Sequence, residues 1–576
     1  LYKGYMFARG DYYPFQDYTF WANKSPLSFL IPGYVQLWFG PGLREARYFS
    51  IFLGLLMMIA IWITARRLGG RLWAVLAVWV FALGFPQISV YSEAVSQVLV
   101  ACMLAWMFVF TLGENRPLWQ LVLGSALAVL IVMTRQNMAV VPALLVLYIF
   151  WQYGARAGWW SFATSALLFI AFHLFYWPGI LQIWVPWLPP ALTPFLDHFR
   201  VTAQLTQSDF VFDASELSRF QSFATGLHDH FFVLLGSISA LILWPRRESW
   251  KSRAQVRMAV FLGVTFFLLF LMHTWASLPT DYCVHCFSGY HSFYSVAGLF
   301  FIIVVFSNGL NVSGWRVPVL LATLLFFAAN MGLYYYQRSG DWLLDKVQVP
   351  RVNRIIRQGE FSTVSLRDTL THTFNLATEL QKRVAAVGGG LFLGLLLTGL
   401  TWVLHHFLIQ KKWAGVYSFA NVALALALLI GALFPVALNE RPGEVGCSGQ
   451  FLTYYEEAAH LLDDRIPPGS VVYWRGSGRH LAFMLYLDDV KLFLPQIHAG
   501  GGYMAGETER LLRLGLYNEE LDQEWRQSAD VLIIWETYLT KEFRTFLDQP
   551  GYERVPYDMG NLAKCEDVLL VYRRTS

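Results

Sequence analysis

The chain has 576 residues and is 56% hydrophobic, 17% aromatic and only 14% charged. Soluble globular domains carry about 25% charged residues, so a fully water-soluble molecule is excluded. The formal net charge of +4 is small, and the basic residues sit in short loops between apolar runs, which argues for membrane topology and against nucleic acid as a partner.

The first residues, through "GDYYPFQDYTFWANKSPLSFLIPG" (10–33), are aromatic, hold three prolines and carry Asp11, Asp17 and Lys24. This stretch is too polar to cross a bilayer, yet it leads into a long series of apolar segments. Residues 1–45 therefore read as an outer loop with interfacial helices. The chain begins at Leu1 without the basic, apolar and small-residue pattern of a signal peptide, so a further segment is expected upstream.

Twelve apolar spans follow, at 46–67, 72–90, 93–113, 117–135, 137–153, 159–177, 228–245, 256–274, 291–309, 314–335, 385–408 and 415–437. Their lengths match the roughly 20 residues that a helix needs to cross the hydrocarbon core. The basic clusters Arg66, Arg67 and Arg71; Arg246, Arg247, Lys251, Arg253 and Arg257; and Lys411 and Lys412 all fall on one side if the spans alternate. The positive-inside rule makes that side cytoplasmic. The opening loop, the loops 178–227 and 275–290, the segment 336–384 and the C-terminal region then face outward. These outer segments are long and rich in Trp, Tyr, Pro and His, as in "YWPGILQIWVPWLPPALTPFLDHFR" (176–200). Interfacial helices on the outer leaflet suit that composition, and function is expected on that face.

After Pro435 the composition becomes that of a soluble protein. Residues 451–465 predict a helix, 470–474 a strand, 480–489 a helix, and 490–494, 530–535 and 567–574 strands. The alternation predicts a small outward α/β domain over 439–576, beyond a membrane domain over 46–438. An oxidising outer compartment permits a Cys447–Cys565 disulfide there.

Several groups carry chemistry. Lys24, beside Pro26 at the membrane surface, suits an anion such as a lipid phosphate; its plainer role is to snorkel to head groups. Asp11 and Asp17 suit acid/base work or a divalent cation, and equally helix capping. Arg135, in "MTRQNM", ends a span, where an arginine either serves a site or snorkels to the interface. Glu93 starts a span and reads most simply as a helix N-terminal carboxylate. "DYCVHCFSGYH" (281–291) holds C-x-x-C with His285 and His291, but no second cysteine pair lies nearby to complete a zinc site. "RGSGR" (475–479) sits between a strand and a helix, as a phosphate cradle would, without a full fingerprint.

Read together, Gly10-Asp11-Tyr12, Lys24-Ser25-Pro26-Leu27, Ala46-Arg47 and Ala65-Arg66-Arg67 resemble the first outer loop and following helix of the GT-C membrane glycosyltransferases. The nearest branch is that of the protein O-mannosyltransferases and the lipid A aminoarabinose transferases. Ser25 stands where that pattern has a first proline, and Asn23 where a Glu is common. The resemblance implies about thirteen spans, one of them ahead of Leu1, with an outward α/β domain at the C-terminus. It implies inverting transfer of a sugar from a polyprenyl-phosphate donor to a protein, lipid or glycan acceptor. The catalytic Asp would lie upstream of Leu1, Lys24 would hold the donor phosphate, and Tyr290 and His291 would line the site. Two rival readings remain at the sequence level: a catalytically inert GT-C-like subunit of a membrane complex, and a transporter of lipid-linked substrates. Clean spans with polar mass outside weigh against the transporter.

Overall fold

The computed structural model describes residues 1–15, 25–83, 90–91, 96–184, 227, 231–277, 292–311, 314–351, 356–410, 451–463, 465–476, 480–487, 489–499, 503, 505–513, 516–556 and 568–575. The membrane part begins with α1 (Tyr2–Arg9) and α2 (Leu27–Phe39). It continues through α3 (Leu43–Gly69), α4 (Arg71–Leu83), α5 (Ser96–Thr111), α6 (Leu118–Thr134), α7 (Val140–Tyr153), α8 (Ala155–Phe175), α9 (Phe231–Ile242), α10 (Arg253–Ser277), α11 (Ser295–Phe306) and α12 (Arg316–Tyr334). A short segment with α13 (Asp341–Lys346), the antiparallel pair β1 (Gln348–Pro350) and β2 (Thr363–Ser365), and α14 (Leu366–Phe374) precedes α15 (Thr378–Gln410). Every expected span except 415–437, which lies outside the described residues, coincides with one of these helices. Among the described residues, α3, α8, α12 and stretches of α10 and α15 are long and apolar enough to cross a membrane. The chain is a multi-pass membrane protein.

Burial follows composition. α5 and α11 are apolar on all sides and buried on nearly all sides. They form the centre of the bundle, with Phe108 of α5 edge-on to Phe261 of α10 and Phe300 of α11. α8 lies at the rim and exposes Trp159, Trp160, Leu167, Leu174 and Phe175, an apolar face that suits lipid and not water. α12 and α15 run antiparallel in close contact at Ala328, Gly332, Ala386 and Gly390, where a methyl on either glycine would meet the opposite backbone.

Hydrogen bonds define the two ends of the bundle. At one end Arg67, closing α3, donates to the Val109 and Leu112 carbonyls, each at 2.8 Å. There too the Tyr153 hydroxyl donates to the Thr111 and Gly113 carbonyls, the Lys251 amide to Asn308 Oδ1, and Arg316 to the Trp244 carbonyl. The basic groups at 66–71 and 246–257 therefore share this end. The ends of α6 and α10 and the starts of α3, α5, α7 and α11 lie at the other.

The C-terminal domain holds α16 (Phe451–Asp463), β3 (Val471–Arg475), a 3-10 turn (His480–Tyr486), β4 (Lys491–Leu492), α17 (Leu494–Ala499), α18 (Thr508–Arg513), α19 (Glu519–Ser528), β5 (Val531–Trp535), α20 (Lys541–Leu547), β6 (Tyr552–Arg554) and β7 (Leu569–Arg574). Its sheet runs β4-β3-β5-β7-β6. β3 is parallel to β4 and β5, and β7 is antiparallel to β5 and β6. The expected strands are present. The helix expected over 480–489 is a 3-10 turn, and β6, α17, α18, α19 and α20 are additions.

Strand alternation gives the sheet two buried faces. Tyr473, Leu532, Ile534 and Leu570 pack under α19 and α20. Val472, Trp474, Ile533 and Val571 pack with α16, and this same core takes in Tyr2, Met6 and Phe7 of α1 and Leu43 of α3. The domain is therefore docked on the membrane part. Arg44 makes a two-pronged pair with Glu456, at 2.9 and 2.7 Å. The Leu43 amide donates to the Tyr486 hydroxyl at 2.8 Å. Burial pushes the Tyr486 phenol up to about 12, so it stays neutral and accepts that bond throughout the physiological range.

Candidate functional site

The site is built where α6 stops. Arg135 leaves the helical conformation at φ −146° and ψ 113°, and a 3-10 turn, Gln136–Met138, carries the chain into α7. Three consecutive polar side chains, Arg135, Gln136 and Asn137, are thereby set at the end of an apolar helix. Each meets a different part of the fold. Gln136 Oε1 accepts from the hydroxyl of Ser25, which is fully buried just before α2, at 3.3 Å. Arg135 Nη1 lies 3.5 Å from Ser96 Oγ at the start of α5, and its guanidinium stands 5.2 Å from the centre of the Phe293 ring ahead of α11. The Asn137 amide pairs with His273 of α10 at 2.7 Å.

The His273 bonds fix its proton. Nδ1 faces the Leu269 carbonyl at 2.6 Å, so Nδ1 carries a hydrogen and donates. Nε2 is then the acceptor of the neutral ring and accepts a hydrogen bond from Asn137 Nδ2. Phe293 and Tyr294 pack on the imidazole, with ring centres 5.4 and 5.0 Å away. The Asn137 Oδ1 that this orientation turns away is buried and accepts from no described residue.

Beside this polar cluster runs a narrow apolar crevice, bounded by Leu1, Val35 of α2, Ala46 and Phe49 of α3, and Ser96 and Leu99 of α5. Its enclosed volume is about 20 Å³, room for a single water. Ser96 belongs to both the crevice and the polar cluster. The neighbouring outer faces of α2 and α3 expose Leu37, Trp38, Phe39, Tyr48, Ile51 and Phe52. The arrangement is a cation with amide and hydroxyl groups at the mouth of an apolar seam, which is the chemistry of a lipid with an anionic head.

No family model matches the chain, and no curated protein does. Among solved structures, the crystal structure of ArnT from Cupriavidus metallidurans bound to undecaprenyl phosphate is similar to this chain. The likeness has a TM-score of 0.49 and 12% sequence identity, and covers 99% of this chain and 91% of that one.

Of the residues singled out in the sequence, Arg135 is at the centre of the cluster. Lys24, Tyr290, His291, Glu93, Asp17 and the C-x-x-C stretch lie outside the described residues, as do Cys447 and Cys565. The described residues Ser25, Ser96 and Phe293 meet the Arg135–Asn137 turn. Asp11 is elsewhere. It pairs with Arg9 at 2.9 Å, and Arg9 reaches Asp489 of the C-terminal domain at 3.2 Å. Among the described residues no three His, Cys, Asp or Glu side chains are grouped to hold a metal ion. Gln136, Asn137, Ser96 and His273 were passed over in the sequence. The signal for His273 was available, because an ionisable residue inside an apolar run is costly and usually serves a site.

Proposed function

We propose that the protein is a GT-C-type membrane glycosyltransferase that moves a sugar from a polyprenyl-phosphate donor to an acceptor hydroxyl, with inversion. The observation that carries this reading is the Arg135 cluster, set at the mouth of the apolar seam and joined to it through Ser96. The order of motifs from Gly10 to Arg67 supports it. The basic groups at 66–71 and 246–257 gather at the opposite end of the bundle, which by the positive-inside rule supports an outward position for the site and the docked domain.

In this reading the guanidinium of Arg135, with Lys24, holds the donor phosphate as charge develops on it. The prenyl tail lies along the exposed faces of α2 and α3, since the crevice is too small to swallow it. The acceptor oxygen forms the new bond to the sugar C1 as the C1–O bond to phosphate breaks, and the electron pair leaves on the polyprenyl phosphate. The hydroxyl proton goes to a carboxylate. The resemblance puts that Asp just ahead of Leu1, and Leu1 itself borders the crevice. Asp11, held by Arg9 against the docked domain, is the weaker choice for this role.

The test is native mass spectrometry of the purified full-length protein with polyprenyl phosphate. A charge-assisted contact contributes about 1.5–3 kcal/mol, so Arg135→Ala weakens retention of the lipid by about 10- to 100-fold. Equal retention by the variant, or none by the wild type, overturns the reading.

A further inference from the structure

The sheet face under α19 and α20 hides a second charged group, far from the membrane cluster in sequence and built from other elements. β3 ends at Arg475, which the strand alternation puts on the same face as Tyr473. The Tyr473 hydroxyl donates to Asp522 Oδ1 at 2.7 Å, and Asp522 is 1% exposed. Arg526, one turn further along α19, donates to the other oxygen of Asp522. Arg475 Nη1 stands 3.8 Å from that same oxygen. Both guanidinium groups lie over the Phe543 ring of α20, with centres 5.4 and 4.4 Å away.

Among the described residues the charge does not balance here. Two arginines share one carboxylate, and neither can shed its proton. Their side chains are 11% and 10% exposed. Arg475 Nε and Nη1 and Arg526 Nε are buried without a hydrogen-bond partner among the described residues, and the Tyr517 hydroxyl, which lies beside Gln496, is buried with them. A surplus positive charge with several idle donors is among the most costly things a protein interior can hold. The group sits at the carboxyl end of β3, where β3 runs parallel to β4 and β5. The carboxyl ends of parallel strands are where open α/β sheets receive ligands. An anion with several acceptor oxygens supplies both the missing charge and the missing lone pairs, and guanidinium forks match phosphate geometry.

We propose that Arg475, Arg526 and Tyr517 form a binding site for a phosphate group in the C-terminal domain, whether as the free ion or as a phosphate ester. The site stands independently of the glycosyltransferase reading.

Thermal melting of the full-length protein in detergent tests it, with inorganic phosphate, glucose 6-phosphate or chloride at equal ionic strength. The wild type melts several degrees higher with a phosphate group present, and the effect saturates. A response to inorganic phosphate assigns the free ion, and one confined to the sugar phosphate assigns the ester. Arg475→Met removes the surplus charge and keeps the bulk, so in chloride it melts no lower than the wild type and its phosphate response is gone. Arg475→Lys keeps the charge without the fork and needs about tenfold more phosphate for the same shift, which decides the matter if the Met variant does not fold. Arg135→Ala retains the full response. No response from the wild type, a response kept by Arg475→Met, or one lost in Arg135→Ala overturns the proposal.

Discussion

At the scale of single residues, the site depends on which atoms are committed and which are not. His273 donates a hydrogen bond to the Leu269 carbonyl and accepts one from Asn137, so the imidazole fixes the amide and the amide's position fixes the turn that carries Arg135. Replacing His273 by Ala strands the Asn137 amide donor, and a buried polar group without its partner costs about 1–3 kcal/mol. The expected result is a lower melting temperature together with weaker lipid-phosphate retention. Unchanged values in both would show that the imidazole does not hold the turn. Arg135 was legible in the sequence because an arginine at the end of an apolar run is conspicuous. Asn137 and Gln136 were not, because polar residues after a helix end are common and only the fold shows what they face.

At the scale of elements, apolar run length made the spans legible, and their positions in the structure follow it closely. The site was harder to read because it is assembled from helix ends distant in the chain: Ser25, Ser96, Arg135 to Asn137, His273 and Phe293. α19 was missed for a different reason. Its sequence, "EELDQEWRQS", is mostly polar, and only Leu521 and Trp525 are apolar residues marking the buried side. Asn518, whose side chain accepts from the Leu521 amide at 3.0 Å, was the available start signal. The crossing of α1 and α2 is equally specific. A methyl on Gly33 would collide with the Gly4 carbonyl oxygen, so the two helices touch backbone to backbone. Forcing extra bulk into such a contact costs about 1–3 kcal/mol. Gly33→Ala is therefore expected to lower the melting temperature and, by displacing α2 beside Val35, to weaken lipid retention. A variant that melts and binds like the wild type would show that the crossing yields without consequence.

At the scale of the whole molecule, the C-terminal domain is part of the same body as the entry to the membrane part. α1 shares a core with the sheet, Arg44 pairs with Glu456, and Leu43 bonds to Tyr486. The sequence indicated the domain but not this docking, since the contacts join residues more than 400 positions apart. The domain and the Arg135 cluster share one end of the bundle, which in the proposed reading sets the domain beside the donor lipid. The most direct measurement is donor discharge by the full-length protein in vesicles. A labelled polyprenyl-phosphate sugar and a native membrane extract supply donor and acceptor, and the release of bare polyprenyl phosphate is followed over time. Release by the wild type, slowed at least tenfold in Arg135→Ala, is the expected result. No release with any sugar donor, or equal release by the variant, would contradict it.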